Sequence, residues 1–511
     1  MKFTLFSLLM IFITFFAIGQ SLHFALDGDS WLTLYRYIKD FTAFGSHFDL
    51  TNYSTDYGNY VFANIIMGII YRLFSFNPFP YYLVSIILRV IAAISFYPAV
   101  SAASKDKRAG FLSSVFFACM FAGIETTNWV FNMNTYISIT LFNLFIYLYY
   151  SKDFQLSKRG ILTSLILTSS FIVTQNRMHG LLFITPLLII SNIGKINIQN
   201  LKRFLFQILV FFSPILGYRF LTRSSDDTVY MNSFVQSVSQ WKNFILSIFS
   251  NIENAILPDT LFKITNELKA LLVILIFLGL PIMLIKLRSQ KYLFTLISLS
   301  VSVFFLIIPL IVFGPAGTLS SDHRYLIIPG AYILVAFAIL LSELLRQRNQ
   351  FYKILAISFI NIIIIINLIS LRNYFDMLSE NGRLAEDAEK QFKFITSQIG
   401  APKNDAPSVF LFISDNPFYL YNAITFGFSY HMMLIDPRFG MDYQKSPFPA
   451  DNMESLIDVL SGPESKELKR YGYNPIKIPI ENVYTFQLQK KTLTNITPRV
   501  REYLTGKLYI P

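Results

Sequence analysis

The sequence predicts an α-helical polytopic membrane protein, with about eleven transmembrane helices and a small C-terminal α/β domain outside the cytoplasm. Apolar residues make up 53% of the 511 residues and charged residues only 14%, against about 25% in soluble proteins. Apolar runs long enough to cross a bilayer recur through the first 370 residues. Basic residues cluster in alternate connections between these runs. A soluble enzyme and a disordered chain are therefore both excluded.

The apolar runs place the spans in order. The first run follows Met1-Lys2 and can be interpreted as a cleaved signal peptide or, as we prefer for so long a run, as a retained helix. Tyr60 to Phe76 is interpreted as a helix on the outer leaflet, because counting it as a span would move the basic connections outside. The predicted spans lie near 3–20, 80–103, 110–127, 131–150, 160–176, 179–193, 204–221, 268–285, 292–313, 325–345 and 354–370.

Five basic connections set the predicted orientation, because positively charged loops stay in the cytoplasm. The N-terminus is then cytoplasmic, everything after 371 is extracytoplasmic, and the membrane is the cytoplasmic (inner) one. The net charge of +12 arises in the first 370 residues, with 27 basic and 15 acidic, and not in the remainder, with 16 of each. It is therefore a topology signal, and no nucleic-acid partner is expected. The basic residues of the five connections are, in chain order, Lys105, Lys107 and Arg108; Lys152, Lys158 and Arg159; Lys195, Lys202 and Arg203; Lys286, Arg288 and Lys291; Arg346, Arg348 and Lys353.

The predicted domains are a transmembrane unit at 1–370, with outer loops at 22–79 and 222–267, and a soluble domain at 371–511. An amphipathic helix is expected from Ser30 to Phe41 in the first loop. We expect the soluble domain to tune acceptor access and to contain no catalytic residue. Its predicted elements are strands at Ser408–Ile413, Met432–Ile435 and Tyr484–Gln489 and a helix from Ala385 to Ile399.

Acidic residues stand at the predicted outer boundary. Asp27 and Asp29 follow the first span, and Glu125 ends the third. Carboxylates at a membrane boundary are costly to desolvate, so they usually have a reason to be there. A turn with a helix cap at Asp29 or Ser30 is the simpler interpretation for the first two, and a polar turn for the third.

Cations lie at the same boundary. Arg177 and His179 follow one span, and His323 and Arg324 precede another. Taken singly, each basic residue can be a snorkelling anchor. Arg89 lies inside the second span, where a cation needs a partner or water. Together with the acids, this set suits a site for a lipid-linked anion, with a carboxylate to activate an acceptor and cations to hold phosphate.

Three segments resemble, in order, the GT-C membrane glycosyltransferases, most closely the protein O-mannosyltransferase branch. They run from Asn77-Pro-Phe-Pro-Tyr-Tyr to Ala93, over Ile124-Glu-Thr-Thr-Asn-Trp-Val130, and over Arg324-Tyr-Leu-Ile-Ile-Pro329. Asp27-Gly-Asp29-Ser-Trp-Leu is similar to the aspartate motif that opens the first outer loop in that superfamily, which includes oligosaccharyltransferases. The resemblance covers about residues 1–370.

The resemblance implies a glycosyltransferase that takes a sugar from a polyprenyl-phosphate donor in the membrane lipid and passes it to a glycan, lipid or protein acceptor. Asp29, or Asp27, would activate the acceptor hydroxyl, Glu125 would be the acid of the third span, and Arg324 would hold the phosphate. His323, Arg177 and His179 would assist. The family's adjacent acidic pair is here split by Gly28, which leaves open which acid is the base and whether a divalent metal joins it.

Cysteine and histidine predict no metal site of their own. Cys119 is the only cysteine, and the five histidines lack metal-ligand spacing. No cofactor is assigned beyond the open question of a divalent metal.

Two other membrane functions compete with the glycosyltransferase. A polysaccharide polymerase or ligase would build its site on large loops in the second half, whereas the acidic signal here opens the first loop. A lipid-linked sugar transporter would show repeated halves and charges at mid-membrane. A catalytically inactive binding or scaffolding protein of the same superfamily is a further alternative.

Overall fold

The computed structural model describes residues 3–43, 61–151, 202, 205, 235–236, 239–256, 258, 290–313, 319–474 and 476–508. The predicted spans at 160–176, 179–193 and 268–285, and all but one residue of the span at 204–221, lie outside these ranges. Arg177 and His179 lie outside them too. Within the ranges the chain is mostly helical, with one small sheet near its C-terminus.

Long apolar helices dominate the first part of the chain. Four of the described helices are long and apolar enough to cross a membrane, namely Phe3–His23, Pro78–Ser104, Arg324–Leu344 and Gln350–Glu380. The chain is therefore an integral membrane protein. The predicted fold class is confirmed, and the count of eleven spans stays a prediction. The α-helices in the membrane part and its first loop run over Phe3–Ile18, Gly28–Ala43, Val61–Phe74, Pro78–Ser104, Lys107–Cys119, Glu125–Asn128, Asn134–Ser151, Trp241–Ile256, Gln290–Phe313, Ile327–Leu344 and Gln350–Glu380.

The core of the membrane part lies around the helix Pro78–Ser104. Asn77 caps this helix by accepting a hydrogen bond from Phe79 N, and Pro78 occupies the first helical position, where its missing N–H costs nothing. Buried alanine and phenylalanine side chains on it pack against its neighbours, which include Lys107–Cys119 and Asn134–Ser151. At the predicted cytoplasmic end, Asp106 forms an ion pair of 2.9 Å with Arg346. This contact joins two of the basic connections.

The third predicted span, at 110–127, is wrong as a single helix. The helix ends at Cys119, and a separate short helix covers Glu125–Asn128. Gly123 between them has φ +74°, a backbone conformation that glycine adopts without strain and that breaks the helix. Its N–H donates to the carbonyl of Ser321. The break brings Glu125 beside the segment that leads into the helix Ile327–Leu344.

The two helices expected in the first loop are present, over Gly28–Ala43 and Val61–Phe74. They pack against each other, and the first also packs against the C-terminal helix Phe428–Ile435. The position of the second helix on the outer leaflet stays a prediction. The described parts of the first loop, 22–43 and 61–79, therefore form a folded layer that packs against the C-terminal part.

The helix Gln350–Glu380 runs unbroken through the predicted domain boundary at 370/371. Its first part exposes many isoleucine side chains, as expected for a helix facing lipid, and its last turns bury Tyr374, Phe375 and Leu378. The division at 370/371 stays a prediction, because this helix belongs to both parts.

The segment after Glu380, which we call the soluble part because the sequence predicts a soluble domain there, contains a four-stranded sheet of strand order β2-β1-β3-β4. The strands are Val409–Ser414 (β1), Phe448–Ala450 (β2), Val483–Gln489 (β3) and Thr492–Asn495 (β4). β1 pairs in parallel with β2 and β3, and β4 is antiparallel to β3. The helices of this part are Ala385–Gln398, Pro417–Leu420, Phe428–Ile435, Met453–Leu460, Lys466–Arg470 and Thr497–Leu508.

The strands predicted at 408–413 and 484–489 are confirmed, and the strand at Met432–Ile435 is wrong. This run is the end of the helix Phe428–Ile435, which buries Phe428 and Met432 one turn apart. A short apolar run does not distinguish a strand from a buried helix end. The predicted helix at 385–399 is confirmed.

Candidate functional site

Asp27 is buried at the start of the first-loop helix. Its Oδ1 accepts hydrogen bonds from Ser30 N at 2.9 Å and from Ser30 Oγ at 2.8 Å, which makes it the helix cap. Its Oδ2 lies 3.3 Å from Nη2 of Arg383, and the two side chains are only 2% and 8% exposed. Burial raises the pKa of Asp27 to about 6, although Arg383 and the Ser30 donors favour the carboxylate.

Arg383 connects the soluble part to the first loop. It follows Gly382, whose φ of +80° turns the chain after the long membrane helix. Besides Asp27, its Nη2 donates to the backbone carbonyl of Asn128 at 3.1 Å and lies 3.5 Å from the hydroxyl of Tyr82. Sequence reasoning missed this residue, because nothing in the spacing relates position 383 to position 27.

Glu125 and Arg324 form a second ion pair, at the start of the candidate membrane span Arg324–Leu344. Oε2 of Glu125 accepts from the backbone N of Arg324 at 3.0 Å and lies 3.4 Å from its Nη1. The guanidinium also lies 4.0 Å from the centroid of the Trp129 ring, as in a cation–π contact. Both side chains of the pair stay about a quarter exposed. Arg324 is therefore fixed in position yet reachable by a ligand.

Asp29 lies near this second pair. It is partly exposed, unlike Asp27. Burial raises the pKa of Asp29 above its usual value, and the positive charges of Arg324 and then Arg36 oppose that rise. Asp29 is the first-loop carboxylate that combines exposure, a raised pKa and a cation at electrostatic range.

A cavity of about 200 Å³ lies between the two ion pairs. Asp27 and Arg383 line it from one side and Glu125 from another, and the soluble part closes it with aromatic side chains. Asp29 and Arg324 lie beside it and are not among its lining residues. Its lining consists of Asp27, Glu125, Asn128, Trp129, Asp322, Tyr374, Met377, Leu378, Arg383, Phe418, Tyr421, Asn422 and Phe426.

The turn between the two aspartates packs directly on the soluble part. A Cβ on Gly28 would lie 2.7 Å from the Phe426 ring and 2.9 Å from Gly427 N. Gly427 itself has φ +78° and faces Gly28 from the other side. Glycine is therefore required between the two acids for the backbones to approach this closely. This close approach explains why a glycine separates the two acidic residues.

Arg89 has partners of its own inside the protein. It is fully buried, donates to Thr127 Oγ1 at 3.1 Å and to the carbonyl of Phe117 at 3.4 Å, and also donates to the carbonyl of Met120. These contacts satisfy carbonyls at and just after the end of the helix Lys107–Cys119, where no further helical turn donates N–H groups to them. Arg89 therefore supports the break before Glu125, and the site described above does not include it.

His323 lies beside Arg324. Its Nδ1 accepts from Tyr325 N at 3.3 Å and its ring stacks on that of Tyr325. It begins the short turn Arg324–Leu326 that leads into the membrane helix. The structure thus brings together Asp27, Asp29, Glu125, His323 and Arg324 of the predicted site residues.

The described residues do not supply a metal site in this arrangement. No group of three or more His, Cys, Asp or Glu side chains within the described ranges could hold a metal ion. Asp27 and Glu125, the two acids that line the cavity and were predicted from the sequence, are each engaged by an arginine. The donor set therefore does not fit a divalent metal as it stands.

No family model and no curated protein sequence matches the chain. Among solved structures it is similar to the oligosaccharyltransferase AglB from Archaeoglobus fulgidus in complex with an inhibitory peptide and a dolichol-phosphate. The identity is 11%, the match covers 95% of this chain and 69% of that chain, and the TM-score is 0.47.

A second structure of the Archaeoglobus fulgidus oligosaccharyltransferase, in complex with Zn and sulfate, matches at 11% identity over 94% of this chain and 67% of that chain, with a TM-score of 0.45. A third, tethered to an acceptor peptide with the NVT sequon, matches at 12% identity over 95% and 69%, with a TM-score of 0.44. Similarity at these scores carries no argument about activity, which has to come from the site itself.

Proposed function

We propose that this chain is a membrane glycosyltransferase that moves a sugar from a polyprenyl-phosphate donor to an acceptor hydroxyl at the outer membrane face, in the assembly of envelope glycans or glycoconjugates. One observation carries the proposal. A partly exposed carboxylate of raised pKa, Asp29, lies within electrostatic range of Arg324, which Glu125 holds at the end of a membrane helix. A base beside a fixed cation suits transfer from a phosphate leaving group.

The carboxylate acts on the acceptor. An acceptor hydroxyl has a pKa far above that of a carboxylate, so its proton must leave as the new bond forms. Asp29 accepts this proton while the hydroxyl oxygen attacks the anomeric carbon of the donor. The bond between that carbon and the phosphate oxygen breaks on the opposite side, with inversion. The products are the glycoside, protonated Asp29 and the polyprenyl phosphate anion.

The cation acts on the leaving group. A guanidinium binds phosphate through paired N–H donors, and the hydrogen bonds are stronger because both partners are charged. The backbone and side-chain contacts to Glu125 and the ring of Trp129 keep Arg324 in place before the donor arrives. Such preorganised charge stabilises the anion that develops as the bond breaks.

Asp27 and Arg383 hold the turn that carries Asp29. Asp27 caps the helix that begins at Gly28, and Arg383 ties the cap to the soluble part. Asp27 is fully engaged by these donors, so Asp29 is the base in this mechanism and Asp27 positions it. No step of the mechanism passes through a metal ion.

The proposed orientation has the N-terminus in the cytoplasm and the soluble part outside the inner membrane. The site then faces the outer leaflet, where a lipid-linked donor can enter laterally. The contacts described above assign residues to the base and to the donor phosphate, but none to the binding of the acceptor.

Donor binding tests the role of Arg324. Arg324→Ala should weaken binding of a polyprenyl-phosphate sugar roughly tenfold to a hundredfold, which corresponds to the loss of one or two charge-assisted hydrogen bonds. The measurement is titration of purified full-length protein in lipid nanodiscs with a labelled donor.

The matched control is Arg372→Ala, at the same predicted face. Arg372 is exposed and forms only a surface ion pair with Asp376, which should contribute little. Equal donor affinity in the Arg324 and Arg372 variants would show that Arg324 does not hold the phosphate.

A further inference from the structure

A second and larger cavity, of about 1000 Å³, lies against the first loop. We call it the outer groove. One wall is the helix Ala385–Gln398, another is the helix Phe428–Ile435, and the first loop completes it. Neither ion pair of the site described above lines it.

The floor of the outer groove is aromatic. The rings of Trp31 and His431 stack in parallel with centroids 3.7 Å apart. The centroid of the Phe392 ring lies 3.8 Å from that of His431. Burial lowers the pKa of His431 to about 3, so its ring is neutral and presents one donor and one acceptor. The floor is thus apolar, with an uncharged hydrogen-bonding edge.

The charges along the outer groove compensate one another. Glu389 and Lys393 form an ion pair of 2.5 Å on one wall. On the other wall, Nε of Arg438 donates to Asp436 at 2.8 and 3.1 Å. The lining therefore carries two acids and two bases in pairs. A groove of this kind favours a neutral ligand with many hydroxyl groups over an anion or a charged peptide.

The outer groove adjoins the carboxylates. Ala25 and Leu26 line it, and Asp27 on the next position lines the cavity between the ion pairs. It also continues into a further cavity of about 500 Å³, with which it shares Asn77, Pro78 and Ala385. A ligand in the outer groove therefore lies beside the chain segment that carries Asp27 and Asp29.

The outer groove offers no sheet edge to a peptide. One common mode of peptide binding adds a strand to an open sheet edge, and none of the four strands contributes a residue to the lining. The polar groups come from side chains on helices and from the turn at Asp436. A volume at the upper end of small-molecule pockets, about 300–1,000 Å³, suits several sugar units.

We infer that the outer groove binds the acceptor, and that the acceptor is a neutral glycan whose end extends past Leu26 and Trp31 to bring a hydroxyl to Asp29. This inference rests on the proposed function, and it adds the substrate class. The soluble part then provides most of the acceptor site while the membrane part provides the chemistry.

Binding without a donor tests the inference separately from catalysis. Labelled neutral oligosaccharides of hexose and N-acetylhexosamine are dialysed to equilibrium against the full chain in detergent, beside a serine- and threonine-rich peptide. Ala385→Trp fills the groove where the two cavities meet. Lys390→Trp is the matched control, because Lys390 is exposed on the same helix and lines neither cavity.

We expect an oligosaccharide to bind the native protein and the Lys390→Trp variant, and to bind the Ala385→Trp variant at least about tenfold more weakly. If Ala385→Trp does not fold, as judged by thermal unfolding, Ser397→Trp replaces it, since Ser397 is exposed and lines the same groove.

Binding of the peptide alone, binding of no oligosaccharide, or binding unchanged by the filling variants would each overturn the inference. Groove-dependent oligosaccharide binding without sugar transfer from any donor would leave this inference standing and remove the proposed function. Normal transfer with an unchanged acceptor KM in the filled variants would support the proposed function and overturn this inference.

Discussion

The two first-loop aspartates are chemically alike but have different surroundings. One carboxylate oxygen of Asp27 accepts from the helix cap and the other lies against Arg383. Asp29 is instead partly exposed and within electrostatic range of Arg324 and Arg36. A base needs an unoccupied oxygen that a hydroxyl can reach. The structure therefore favours Asp29 for this role and gives Asp27 a positioning role.

The pH dependence of transfer should report on Asp29. Arg36 lowers the pKa of this carboxyl, so Arg36→Gln should raise it. Because Asp29 must be ionised to accept a proton, the acid limb of kcat/KM should move to higher pH in this variant. Lys39→Gln, one turn along the same helix Gly28–Ala43, is the control, because it removes the same charge from the next turn. A limb that stays in place in the Arg36 variant would mean that another group titrates.

The sequence predicts which side chains lie close together when they stand at the ends of predicted membrane helices. Glu125 and Arg324 each stand at the end of an apolar run, so their convergence at one boundary follows from the topology, and their ion pair agrees with it. Arg383 has no such signal, because it lies 356 positions from Asp27 and outside any apolar run. The position of Arg89 inside an apolar run predicts that it needs a partner, but only the structure shows that backbone carbonyls are among its partners.

At the level of elements, the turn Asp27–Gly28–Asp29 depends on its contact with the segment Phe426–Gly427. Gly28→Ala places a methyl group within 2.9 Å of the Gly427 backbone, so one of the two segments must move. A shift of the base by about 1 Å costs on the order of a hundredfold in rate. We expect transfer to fall tenfold to a hundredfold, with donor binding retained.

Gly19→Ala is the matched control for this variant. Gly19 lies before the same loop, and a Cβ there would meet nothing within 4 Å. Full activity of Gly28→Ala in the reconstituted transfer assay would contradict the claim that the soluble part holds the turn.

Elements that the sequence misplaced share a physical cause. The run from 110 to 127 is apolar throughout its first part, and hydropathy does not register a break made by one glycine and by hydrogen bonds to residues about 200 positions away. Met432–Ile435 is apolar and too short to show whether its apolar residues repeat with the period of a helix or of a strand. Both are decided by tertiary contacts, which composition does not contain.

For the whole molecule, the predicted orientation follows from the basic connections alone. In a Cys119→Ala background, a cysteine at Lys107 should resist a membrane-impermeant thiol reagent in intact cells, and a cysteine at Asp415 should react. Both positions are exposed in the structure. Permeabilised cells, in which both should react, are the control. Labelling of position 107 from outside would reverse the topology and move the site to the cytoplasm.

The division of labour between the membrane and soluble parts is the aspect that the sequence did not foresee. The sequence predicts that the soluble part tunes acceptor access, and in the structure it also supplies Arg383 and the rings of Phe418, Tyr421 and Phe426 to the cavity lining. Such a site between the parts cannot be read from hydropathy, since the residues that form it are polar or aromatic and scattered along the chain.

The central claim is that a first-loop carboxylate beside Arg324 performs sugar transfer, and the Asp29→Asn variant tests it most directly. The measurement is transfer from a labelled polyprenyl-phosphate sugar in proteoliposomes, with protein amount and donor affinity checked and with Asp415→Asn as the control. The account predicts that Asp29→Asn loses on the order of 10²–10⁴ in rate with donor affinity unchanged, while Asp415→Asn keeps full activity. Near-native transfer by both Asp29→Asn and Asp27→Asn would contradict it.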